Sequence, residues 1–247
     1  MTAPLPVTAG LNAPPPVTAG VNAPLPASAG GTSAAPASAA SAAADAAVGV
    51  THLLYLHGFR SSPGSAKARL TAAWVARHHP QVQWWCPQLP PSPREAIEML
   101  DAGIANWPAA SAGVIGSSLG GYYATAIAER HGWRAVLLNP AVEPARDLAR
   151  HIGETTAWHS DERFYFRPEY IAELRAIDPG ALTGLQRYFA IIAKGDEVLS
   201  WVEMTRRYAG ARTRLLEGGD HALTGFEGHL PAVLGWFGLA AQTMPRR

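Results

Sequence analysis

The chain has 247 residues, 48% of them hydrophobic, with 20 basic and 19 acidic side chains and a formal net charge of +1. That balance, with no long basic run, argues against a nucleic-acid partner, and no segment reaches the roughly 18 to 20 apolar residues of a membrane span. A single cysteine, Cys86, excludes an intrachain disulfide and any multi-cysteine metal site, and the cytoplasm is the default compartment.

Residues 1–48 form a low-complexity Ala/Pro/Ser-rich tail. A ten-residue near-repeat runs through Ala3–Asn12, Ala13–Asn22 and Ala23–Thr32, and an Ala/Ser tract follows. Proline at this density interrupts helix and ladder hydrogen bonds, and the side chains are too small to bury a core. The tail is therefore expected to be disordered. It makes a poor signal peptide, because no Lys or Arg precedes Arg60 and prolines break any apolar h-region.

From Thr51 the pattern alternates between short apolar runs and helical segments. Strands are predicted at Thr51–His57, Gln81–Cys86, Ala112–Ile115, Arg134–Leu138, Arg187–Ala193 and Ala211–Leu216. Helices are predicted over Ser65–His79, Arg94–Asn106, Tyr122–Arg130, Trp201–Tyr208 and Phe226–Leu239. Apolar strands alternating with helices imply one α/β domain over 49–247, with a mostly parallel sheet covered on both faces. The alternation fails between Ala141 and Thr183, where Trp158, Phe164, Tyr165, Phe166 and Tyr170 stand among many charges without a clean period. This segment reads either as a small cap insert over an acyl pocket or as an aromatic patch packed on the sheet.

Gly116-Ser117-Ser118-Leu119-Gly120 lies between a predicted strand and helix and fits G-x-S-x-G. In a nucleophile elbow the serine occupies a tight, strained turn that lifts its Oγ above the sheet, and a Cβ at either flanking glycine would crowd the turn or the neighbouring strand. Ser118, with Gly116 and Gly120 two residues away on either side, is the candidate nucleophile. A serine hydroxyl needs a base, and the base needs an orienting acid. In α/β hydrolases these follow in the order Ser, acid, His, on loops after strands. Asp196 and His221 each follow a strand end and complete that order. Competing acids fit less well: Glu197 diverges from its neighbour Asp196, Asp220 would have to curl back, and Asp178 sits in an Asp-Pro turn. Among histidines, His78, His79 and His131 read as solvated helix ends, His151 and His159 fall in the insert, and His229 lies inside the last helix. The backbone N–H of Leu119, at the start of the elbow helix, is one candidate oxyanion donor. That of Phe59, after His57-Gly58, is the other. His57 reads as a structural residue bonded within its loop.

Beyond the elbow, five stretches resemble the small bacterial YqiA-type esterases: Tyr55-Leu-His-Gly-Phe-Arg-Ser-Ser-Pro-Gly-Ser-Ala-Lys-Ala68, Gly116-Ser-Ser-Leu-Gly-Gly-Tyr-Tyr-Ala-Thr125, Leu138-Asn-Pro-Ala-Val-Glu-Pro144, Gly195-Asp-Glu-Val-Leu199 and Gly218-Gly-Asp-His221. The resemblance implies an α/β hydrolase with a small cap, and cleavage of carboxylic esters that extends to acyl-CoA thioesters. Its triad falls on Ser118, Asp196 and His221. The expected partner is a small-molecule ester or thioester, with no metal or organic cofactor. An acyltransferase or amidase on the same triad, or a non-catalytic interaction module of the same fold, are the competing readings.

Overall fold

A computed structural model describes residues 49–156 and 163–241. The tail over residues 1–48, and Trp158 and His159 of the insert, lie outside the described residues. In chain order the elements are β1 (His52–Leu56), α1 (Ala66–His78), β2 (Gln83–Trp85), α2 (Pro93–Ile104), β3 (Ala112–Ser117), α3 (Leu119–His131) and β4 (Arg134–Leu138). A short α4 (Pro144–Asp147), β5 (Gly153–Thr156), β6 (Arg163–Phe166) and α5 (Glu169–Ile177) follow, then β7 (Tyr188–Ala193), α6 (Trp201–Arg207), β8 (Arg212–Leu216) and α7 (Leu230–Trp236).

Six strands form one parallel sheet in the order β2-β1-β3-β4-β7-β8. Successive residues of a strand point to opposite faces, and both faces here are buried. Leu53, Tyr55, Ile115, Val136, Phe189 and Ile191 point to one side, where Val75 of α1 and Val233 and Leu234 of α7 cover them. Leu54, Leu56, Val114, Leu137, Ala190 and Ile192 point to the other, beneath α2, α3, α5 and α6. Double burial is why β3, β4 and β7 read as unbroken apolar runs. The outer strand β8 carries Arg212 and Arg214, charges that discourage another strand from pairing there.

Several expectations need correction. The elbow helix starts at Leu119, not Tyr122, and takes Gly120 and Gly121 into its first turn. The closing segment is not one helix. A 3-10 turn over Phe226–His229 precedes α7, because Pro231 lacks an N–H and its fixed φ suits the first turn of a new helix. His229 therefore ends the 3-10 turn just before α7 rather than lying within the helix. His79 is not solvated: it is buried, and its Nε2 lies 2.7 Å from the Ala240 carbonyl oxygen. The segment after Ala141, which has no readable period, folds as α4, the antiparallel β5–β6 pair and α5. Four residues are too few to display alternation, so Arg163-Phe164-Tyr165-Phe166 shows its strand only when paired. Tyr122, on α3, donates to the Leu174 carbonyl at 2.7 Å and Ser92, the N-cap of α2, donates to Glu173 at 2.7 Å, fastening α5 to the body of the protein.

Candidate active site

Strand order reverses around β1, whose neighbours are β2 and β3, and a crevice opens outside the carboxyl ends at such a point. Here His57-Gly58-Phe59 follows the end of β1, and β3 ends at Ser117, next to Ser118. Ser118 has φ 56° and ψ −123°, a conformation that costs about 1–3 kcal/mol unless its surroundings impose it. They do. The Ser118 N–H donates to Leu138 O at 3.0 Å, and its carbonyl accepts from Gly121 N at 2.8 Å and Ala141 N at 3.0 Å. The close packing explains both elbow glycines. A Cβ on Gly116 would stand 2.6 Å from the Ala124 Cβ and nearer still to Gly120 O, and one on Gly120 would stand 2.6 Å from His57 O.

The loops after β7 and β8 bring the other two residues to the same edge. Ser118 Oγ lies 3.0 Å from His221 Nε2, and His221 Nδ1 lies 2.8 Å from Asp196 Oδ2. The Asp196 side chain is wholly buried, while that of His221 is 21% exposed. Asp196 Oδ1 also accepts from the backbone N–H of Val198 and Leu199, each at 2.8 Å, so the carboxylate cannot turn away. A carboxylate at Oδ2 only accepts, which puts the imidazole proton on Nδ1 and leaves Nε2 as the acceptor for the serine hydroxyl.

Phe59 and Leu119 line a cavity of about 570 Å³ together with Ser118 and His221. Neither backbone N–H donates a hydrogen bond among the described residues. Gly58 is pressed on the serine: a Cβ there would meet the Ser118 Cβ at 3.1 Å and its Oγ at 3.5 Å. His57 is buried and takes no part in the relay. Its Nε2 accepts from Leu89 N at 3.1 Å, so its Nδ1 carries the proton and donates to Gly58 O at 3.0 Å. Burial lowers its pKa, and the bond to Gly58 only partly offsets that. A second chamber of about 370 Å³ adjoins the first through His57–Ser61 and Leu119, walled by Leu89, Pro91, Met99, Tyr123 and Phe164. Phe59 stands between the two, its ring centroid 5.2 Å from that of Phe166 and 6.1 Å from that of Phe164. Burial pushes the Cys86 thiol up to about 12, which keeps it protonated at neutral pH.

The sequence profile of a family described as "Uncharacterised protein family (UPF0227)" matches residues 52–238, every element from β1 to α7. The chain belongs to UPF0227. This is the YqiA-like family that its motifs resemble. Similar solved structures include the alpha/beta hydrolase domain-containing protein 10 from mouse, with TM-score 0.56 and 14% identity over 74% of this chain and 88% of that one. Est1E from Butyrivibrio proteoclasticus gives 0.52 and 13% over 76% and 87%. A structure of the metagenome-derived lipolytic enzymes LipS and LipT gives 0.53 and 18% over 77% and 95%. Likeness at these identities establishes the α/β-hydrolase fold for this UPF0227 chain.

The UPF0227 site also contains residues that motif reading leaves without a role. Asn139, at the end of β4, is buried with φ 43°. Its Oδ1 accepts from Ala193 N at 2.8 Å, and its Nδ2 donates to Asp220 O at 3.0 Å and His221 O at 3.3 Å. One side chain thus ties the end of β7, which leads to Asp196, to the histidine loop. Glu197 does not compete with Asp196 for the ring. It accepts from the His221 backbone N–H at 3.0 Å, holding the same residue from behind. Asp220 likewise turns away, accepting from Thr224 N at 2.8 Å. The available signal was the polar residue in Leu138-Asn-Pro140, since a strand-ending Asn at a crevice has backbone groups to serve.

Proposed function

We propose that this protein is a serine esterase that cleaves carboxylic esters through an acyl-enzyme. The observation that carries the reading is the continuous relay Ser118 Oγ to His221 Nε2 at 3.0 Å and His221 Nδ1 to Asp196 at 2.8 Å, on the wall of a cavity. His221 takes the Ser118 proton as the hydroxyl oxygen attacks the ester carbon. Asp196 holds the tautomer and stabilises the imidazolium that forms. The N–H groups of Leu119 and Phe59 receive the oxyanion. Collapse of the tetrahedral adduct expels the alcohol, protonated by His221. Water, deprotonated by the same imidazole, then releases the acid and restores Ser118.

The chamber of about 370 Å³ suits the acyl chain. At roughly 30 Å³ per water-sized group it holds about 12 such groups. The segment over 141–183 acts in this reading as a cap, with Phe164 walling the chamber and Phe166 packed on Phe59. Thioesters fit the same chemistry, because the thiolate is the better leaving group.

A fluorophosphonate probe tests the nucleophile. Labelling of the native protein and none of Ser118→Ala is expected, and equal labelling of both refutes the reading. Nitrophenyl esters of graded chain length, beside acyl-CoA thioesters, then locate the substrate. A rate independent of chain length would remove the acyl role assigned to the apolar chamber.

A further inference from the structure

Side chains from elsewhere in the chain hold four backbone groups of the histidine loop, and three of the bonds come from residues already described: Asn139 to the carbonyls of Asp220 and His221, and Glu197 to the His221 N–H. The fourth group is the carbonyl of Ala222, which accepts from Lys67 Nζ at 2.7 Å across 155 residues of sequence. Immediately afterwards the chain passes through Leu223 at φ 53°, a left-handed conformation unfavourable for a leucine. The Leu223 N–H closes the turn on Asp220 O at 3.1 Å, and Lys67 ties that turn to α1.

Lys67 is poorly placed for any purely local purpose. It stands in the first turn of α1, a 13-residue helix with no acidic residue in that turn, where the helix dipole disfavours a cation. Its side chain is partly buried and lines the larger cavity. Burial lowers the amine's pKa, while the charges of Asp220 and Asp196 work the other way. No carboxylate forms an ion pair with it among the described residues. Lys67 thus breaks both the dipole rule and the desolvation rule, and such local violations are expected at functional sites.

From this geometry we infer that Lys67 is a positioning residue for the base: its ammonium pins the Ala222 carbonyl and so keeps His221 Nε2 within reach of Ser118 Oγ. This rests on the serine-esterase reading and adds a residue to it. Lys67 acts through His221 and needs no contact with substrate.

The test compares Lys67→Met, Lys67→Arg and the native enzyme on an uncharged nitrophenyl ester, with the rate of fluorophosphonate labelling measured alongside. Displacing the imidazole by part of an ångström should lower kcat roughly 10- to 100-fold. KM should stay within about twofold, since uniform binding is untouched. Labelling should slow in parallel, and Lys67→Arg, which keeps a cationic donor, should recover most of both. Thermal melts identify a variant that has failed to fold, and Lys67→Gln then replaces Lys67→Met in the comparison. An unchanged kcat overturns the inference. So does a rise in KM alone, which would make Lys67 a substrate contact. If Ser118→Ala is still labelled, the esterase reading itself fails. If it is not labelled and Lys67→Met keeps its kcat, only the role of Lys67 falls.

Discussion

Gly120→Ala puts the strongest demand on the elbow geometry. A Cβ at this position would stand 2.5 Å from the Leu56 carbonyl carbon and 2.6 Å from His57 O, and closer still to Leu56 O. Ordinary contact begins near 3.4 Å. All three atoms are backbone, at the end of β1 and the start of the loop that carries Phe59, so no side chain can swing aside. The start of α3 and the end of β1 must part by about an ångström, at an overpacking cost of about 1–3 kcal/mol. Ser118 and the N–H of Leu119 ride on α3, and that of Phe59 on the opposite side of the gap. The change therefore separates the proposed nucleophile and one proposed oxyanion donor from the other. A displacement of that size can cost about 100-fold in rate. The assay is kcat on a nitrophenyl ester, read with a thermal melt. Gly228→Ala is the control, since a Cβ there meets nothing within 4 Å. If Gly120→Ala keeps native kcat and melting temperature, the packing argument for the elbow is wrong.

Three more outcomes follow from particular contacts. Asp196→Asn can still accept from Val198 and Leu199, but its amide would donate to Nδ1 and impose the wrong imidazole tautomer; kcat should fall about 10⁴-fold with the fold intact by circular dichroism. Asn139→Ala strips a buried acceptor from Ala193 N and a donor from two loop carbonyls. It should lower unfolding free energy by about 1–3 kcal/mol and reduce kcat as well, measured by urea titration and ester turnover; loss of stability with full activity would deny Asn139 its link to the histidine loop. Glu129 gives a pH dependence. Burial acts to raise its pKa, but hydrogen bonds from Thr183 and Tyr188 and the charge of Arg187 outweigh that and lower it. A carboxylate with a depressed folded pKa contributes stability above its unfolded pKa and loses it as pH falls through the folded value. Melting temperature should therefore drop as pH falls through and below the usual carboxylate range, and Glu129→Gln should lose less over that interval.

The sheet was legible because its strands are buried on both faces. Leu53 to Leu56, Val114 with Ile115, Ala135 to Leu138 and Phe189 to Ala193 are apolar whichever way they point. The elbow was legible because its glycines answer to local sterics, and Asp196 and His221 because they follow strand ends in the order that an α/β hydrolase uses. The β5–β6 pair was hidden. Its strands are four residues long, and a strand that short is defined by its partner rather than by its own period. The last helix was over-extended because one proline inside an apolar run weighs little in a periodicity count, yet marks where a helix begins.

Sequence by itself determined which residue types stand at the carboxyl edge of the sheet, since strand ends, glycines and prolines act over a few residues. Only the tertiary structure decided what each of them holds. Glu197 faces the backbone of His221 while Asp196 faces its ring, Asn139 joins two loops more than 50 residues away in the chain, and Lys67 reaches Ala222 across 155 residues. Those bonds depend on where parallel strands set their ends side by side, and that distance is fixed by the sheet and not by spacing along the chain.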